Sequence, residues 1–151
     1  MGSKFQADVP GNRYFISVPV ASAASNGANA KQADGVIGPF PWDVRIRAVN
    51  YVPTQGDVDV STATSTASYR QLILYNGGTI GTITATASHI ASLNLTSSLA
   101  SYSSRAFGTV STAVSMASGE MAYLSQLTKG AAHANGTVLQ AGRVSVNYEI
   151  I

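Results

Sequence analysis

Arg143-Val144-Ser145-Val146-Asn147-Tyr148-Glu149-Ile150 alternates without interruption, with Val144, Val146, Tyr148 and Ile150 on one face and Arg143, Ser145, Asn147 and Glu149 on the other. Successive side chains of an extended strand point to opposite sides of a sheet, so this segment reads as a strand with one face in a core and one in water. So regular a strand is expected well inside a sheet. A second alternation starts at Trp42. It places Val44, Ile46 and Ala48 on one side and Asp43, Arg45 and Arg47 on the other, until Pro53 ends it. Arg13-Tyr14-Phe15-Ile16-Ser17-Val18-Pro19-Val20 is a β-branched and aromatic run, expected as a first strand stopped by Pro19.

The same pattern continues in shorter pieces. Residues 70–75, 107–116 and 120–127 read as strands, and Val58 and Val60 as a short edge strand. Asn76-Gly77-Gly78 is the strongest hairpin signal, because Asn and Gly accept the positive φ of tight turns; residues 79–86 are its expected return strand. Between 88 and 104, Ile90, Leu93 and Leu99 fit a helical face, yet Asn94, Thr96 and the serines are poor helix formers. A short helix and a strand plus loop stand level there. Residues 21–35 are rich in Ala, Ser, Asn and Gly without hydrophobic periodicity, which is loop composition, and 129–136 reads alike. Pro39-Phe40-Pro41-Trp42 reads as a rigid extended entry into the next strand. About eight strands and no long helix predict an all-β fold, an antiparallel β-sandwich of jelly-roll-like type. It is expected as one domain over residues 13–151 with a loop insertion at 21–41, preceded by an extended N-terminal arm at 1–12.

The chain has 151 residues, enough for one substantial core, with 45% hydrophobic and only 11% charged residues. An ordinary soluble domain carries roughly 25% charge. A surface built from Ser, Thr, Asn, Gln, Gly and Ala is inexpensive to desolvate, which suits a protein that works inside an assembly. The net charge is +2 and the basic residues never form a run, so nucleic acid is not expected as a partner. No cysteine is present, which excludes disulfides, thiolate zinc sites and cysteine nucleophiles. The opening residues lack the apolar segment of a signal peptide, and no stretch approaches the ~18 apolar residues of a membrane span. Synthesis in a cytoplasm and no membrane partner are expected.

Catalytic chemistry finds little to start from. His89 and His133 have no second histidine or carboxylate at metal-ligand spacing. Asp57 and Asp59 supply too few oxygens for calcium, which takes six to eight. Gly77-Gly78-Thr79-Ile80-Gly81 lacks the Lys and Ser/Thr that end a phosphate loop, and no Gly-x-Ser-x-Gly elbow occurs. The reading is of a non-enzyme without catalytic residues, metal or cofactor. Phe5, Phe40 and Trp42 are candidate interface anchors, since aromatic side chains carry much of the energy of protein interfaces. For Trp42, packing against its own sandwich is the favoured reading. A tyrosine in a loop offers a stacking surface for a sugar or an anchor for a protein.

Four segments carry a family resemblance. Trp-Asp-Val-Arg-Ile-Arg-Ala-Val-Asn-Tyr-Val-Pro-Thr at 42–54 is followed by Tyr-Arg-Gln-Leu-Ile-Leu-Tyr-Asn-Gly-Gly at 69–78. Then come Met-Ala-Ser-Gly-Glu-Met-Ala-Tyr-Leu-Ser at 116–125 and Ala-Gly-Arg-Val-Ser-Val-Asn-Tyr-Glu at 141–149. This order resembles the decoration (cement) proteins of tailed-bacteriophage heads, over roughly Phe15 to the C-terminus. The resemblance implies a jelly-roll-like structural subunit on the capsid exterior of a virion. Its partner would be the major capsid protein and its favoured state a homotrimer, with a terminal arm reaching neighbours. It would act by clamping adjacent capsomers, many modest contacts adding to tight binding. The alternative is a carbohydrate- or receptor-binding β-sandwich module of a phage particle.

Overall fold

The computed structural model describes residues 13–20, 31–53, 63–65, 68–79, 88–95, 102–108, 110, 114–129 and 141–151. Within them the chain is all β. The strands are β1 (Arg13–Val20), β2 (Lys31–Ile37), β3 (Val44–Pro53), β4 (Ala63–Ser65), β5 (Ser68–Asn76), β6 (Ser88–Leu95), β7 (Arg105–Ala106), β8 (Ser115–Met116), β9 (Ala122–Lys129) and β10 (Gly142–Ile150). One sheet runs β1-β10-β3, with β7 and β8 both on the far edge of β3; the other runs β2-β9-β5, with β4 and β6 on the far edge of β5. All pairings are antiparallel. With β7 and β8 as one interrupted strand, the orders β1-β10-β3-β7/β8 and β2-β9-β5-β6 are those of a jelly roll, to which β4 adds a short edge.

Both sheets close on one core. Val44, Ile46, Val49 and Tyr51 of β3 and Val144, Val146 and Ile150 of β10 meet Leu72, Leu74, Leu124, Ile90 and Leu95 from the opposite sheet. Each such side chain contributes about 1.5–3 kcal/mol when fully buried. Arg143 to Ile150 forms the inner strand of its sheet, as the alternation requires, with β1 on one side and β3 on the other. Pro19 does not end β1. It lies within the strand at the sheet edge, where the missing N–H breaks no ladder.

The structure departs from the sequence expectation at four places. The alternation of β3 is broken by a bulge: Ile46 pairs with Tyr148 and Ala48 with Asn147, so Arg47 is the extra residue. The bulge reverses the faces beyond it, which puts Val49 and Tyr51 in the core and leaves Ala48 outside it. The expected loop insertion at 21–41 contains β2, which owes its extended form to main-chain pairing with β9 rather than to any hydrophobic alternation of its own. Asn76-Gly77-Gly78 begins a longer connection instead of a two-residue hairpin. The strand returning along β5 is β6, paired Asn76 to Ser88, which resolves the open stretch from residue 88 as strand through Leu95. Of the single strand expected over 107–116, β8 occupies the last two residues and β7 ends just before its start, while residues 109 and 111–113 lie outside the described residues. The arm at 1–12, the expected edge strand at Val58 and Val60, and the return strand from 80 to 86 lie outside the described residues.

Candidate binding face

Antiparallel partners point to the same side, so register turns the outer face of the β1-β10-β3 sheet into rows. Arg13, Glu149 and Arg45 form the first row; Phe15, Asn147 and Ala48 the second; Ser17, Ser145 and Asn50 the third; Pro19, Arg143 and Val52 the fourth. The bulge adds Arg47 beside the first row. Four of the chain's six arginines therefore share one face, and Glu149 is the one carboxylate in these rows. The first and fourth rows stand about 20 Å apart, at roughly 3.3 Å per residue.

Glu149 organises one end of this face. Its Oε1 accepts hydrogen bonds from Arg47 Nη2 and, at 3.5 Å, from Arg45 Nη1. The Arg47 hydrogen bond, reinforced by the charges of Arg47, Arg45 and Arg13, holds the carboxyl below its ordinary range against the opposing effect of burial. The carboxylate is buried while each guanidinium side chain keeps about a third of its surface in solvent, 35% and 36%. Two arginines are thus fixed in direction yet free to meet a partner. At the opposite end, Arg143 Nε donates to Ser17 Oγ at 3.0 Å, which steadies a third. Between them Phe15 projects with 75% of its surface exposed, an unusual state for a phenylalanine. Ile151, two residues beyond Glu149, is also half-exposed, its N–H bonded to the Asp43 carbonyl.

The expected anchors separate. Phe40 is buried and meets Tyr148 edge-to-face at 5.3 Å, while Tyr148 stacks on Tyr14; its ring therefore belongs to the chain's own core and offers a partner nothing. Trp42 is 46% exposed, so its ring is partly covered by the chain and partly open to solvent. Phe5 lies outside the described residues. The turn carrying Trp42 is held at the end of the sandwich. Asp43 Oδ1 accepts from Ser118 N, the Pro41 carbonyl from Ser118 Oγ, and the Phe40 carbonyl from Gly119 N. Glu120 works in the same structure, its Oε2 accepting from Asn76 Nδ2 and Ala117 N. His89 is exposed against the Tyr75 ring. Asp57, Asp59 and His133 fall outside the described residues, within which no group of three metal-ligating side chains occurs.

Sequence reasoning missed Phe15 and the arginine face. The alternations that put Arg45 and Glu149 outside are visible in the sequence, but the pairing of β10 with both β1 and β3 is what gathers them.

No family model matches the sequence, and no curated protein matches it. Among solved structures, the chain is similar to the crystal structure of Yersinia pseudotuberculosis-derived mitogen, at 11% identity and a TM-score of 0.29, over 95% of this chain and 88% of that one.

Proposed function

We propose that this chain is a non-catalytic structural subunit that docks on a protein lattice, in the particular form of a decoration protein on the exterior of a tailed-phage capsid. The observation that carries a docking role is the outer face of β1-β10-β3, where an exposed Phe15 stands among oriented arginines on a regular three-stranded platform. Phenylalanine and arginine are enriched where proteins meet, and strands hold such groups more rigidly than loops do. The low charge content and the sequence resemblance supply the capsid as partner and a trimer as the favoured state. The subunit would bridge neighbouring capsomers, and an oligomer engaging several junctions would dissociate slowly through high effective concentration.

The test is sedimentation of the purified protein with heads of the phage whose genome encodes it. Binding should saturate at a fixed number of copies per capsomer and raise the temperature at which heads release DNA. Absence of saturable binding would remove the reading.

A carbohydrate-binding role is the second reading, favoured by Tyr102. This residue has a φ of 58° and 74% of its surface exposed, and its N–H is held by the Pro53 carbonyl, a fixed aromatic on which a sugar ring can stack. Saturable sugar binding lost in Tyr102→Ala is the corresponding measurement.

A further inference from the structure

We infer that the outer face of β1-β10-β3 recognises a carboxylate-rich protein surface surrounding an apolar hollow, with Phe15 as the inserted side chain and Arg13, Arg47 and Arg143 as the carboxylate contacts. This rests on the docking reading and names the chemistry of the partner.

Charge gives the first argument. Four guanidinium groups face one carboxylate across the rows, in a protein whose whole net charge is only +2, so this face is far more positive than the chain average. A complementary partner is acidic. Guanidinium groups bind carboxylates and phosphates alike, so a second argument must separate a protein from a nucleic acid. Glu149 does so. A phosphate backbone seeks an uninterrupted positive track, whereas here Glu149 breaks the track between Arg13, Arg45 and Arg47. Mixed signs are ordinary between proteins. The apolar groups agree: Phe15 stands alone in the centre with small and polar neighbours, Asn147, Ala48, Ser17 and Ser145, and no second exposed aromatic lies beside it in the rows. Stacking platforms for single strands carry successive aromatics. A lone projecting ring framed by arginines is the arrangement of a protein hot spot.

The experiment uses the full chain and three probes: the phage heads above, poly-L-glutamate, and a thirty-nucleotide oligo(dT). The variants are Phe15→Ser and the double change Arg13→Glu with Arg143→Glu, all at exposed positions, with Asn94→Ser, exposed on β6 of the opposite sheet, as a control away from the face. Melting temperature is measured for each. Wild type should bind poly-L-glutamate at low salt more tightly than oligo(dT), and rising salt should weaken that binding. The arginine double variant should lose about tenfold or more on both heads and poly-L-glutamate. Phe15→Ser should lose a comparable factor on heads and little on poly-L-glutamate, which has no hollow. Asn94→Ser should bind as wild type. Heads binding with unchanged affinity to both face variants would overturn the inference while leaving the docking reading intact. Failure of heads to bind, with poly-L-glutamate bound through the arginines, would remove the capsid reading and keep the acidic-partner face. Tighter binding of oligo(dT), or no binding to either heads or poly-L-glutamate, overturns the inference.

Discussion

Gly77 has no room for a β-carbon, because that atom would fall inside the buried ring of Tyr123. The hairpin signal therefore marks an indispensable glycine for a different reason than turn geometry, and the positive φ belongs to Gly78, at 67°. Gly77→Val should cost about 1–3 kcal/mol by overpacking. In a Tyr123→Leu background the same change should cost less, a coupling that a double-mutant cycle in urea measures. Val146 is fully buried on the inner strand, so Val146→Asp places an unpaired carboxylate in the core. Its penalty of several kcal/mol is comparable with a whole stability of about 5–15, and the variant should be unfolded by circular dichroism. Two titrations bound the pH range. Glu149 is held below its ordinary 4.5, so its contribution is complete above that value and is lost as pH falls through the lower folded value. Burial raises Tyr51 well above its ordinary 10.0, so its contribution is complete below 10.0 and declines as pH rises beyond it. Melting curves should show both limbs, with Glu149→Gln flattening the acid one and Tyr51→Phe the alkaline one. Unchanged limbs in these variants would show that other groups govern them.

At the scale of elements, the β3 bulge decides both the core and the charged face. One extra residue at Arg47 lets Val44 and Ile46 face the core before it and Val49 and Tyr51 after it, while bringing a second guanidinium to Glu149. Deleting Arg47 would remove the bulge and leave Val44, Ile46, Val49 and Tyr51 alternating without interruption on one side of the sheet. The deletion variant should therefore fold with a lowered melting temperature, as should Arg47→Ala, because both lose the contact with Glu149; a deletion variant that fails to fold would contradict the register. Gly142 shows how tightly the same pair of strands approaches, since a β-carbon there would lie 2.5 Å from the Val52 carbonyl oxygen. Hydrogen exchange should follow position in the sheets. Amides of β10, paired on both sides, should exchange last, and those of the short β4, β7 and β8 first.

For the whole molecule, one core shared by both sheets predicts a single cooperative unfolding transition. The chain has one tryptophan, and Trp42 is half-exposed at the end of the sandwich. Its emission should be accessible to acrylamide in the free protein. Docking that covers this rim should shift the emission to shorter wavelength and reduce quenching, while docking confined to the centre of the sheet face should leave both unchanged.

The all-β class, the inner position of residues 143–150 and the strands at 13–20 and 120–127 were legible because hydrophobic alternation is a local property with a period of two. Composition likewise excluded disulfides and thiolate chemistry before any geometry was known. The bulge at Arg47 was not legible: each half of β3 alternates correctly, and only the partner strand shows where the phase changes. Nor was β2, whose residues extend because β9 supplies hydrogen-bond partners. The arginine face needed more still, since Arg13, Arg45, Arg47 and Arg143 are separated by up to 130 positions and meet only through the pairing of β10 with β1 and β3. Local chemistry wrote which side of each strand is wet; long-range strand pairing chose which wet sides became one surface.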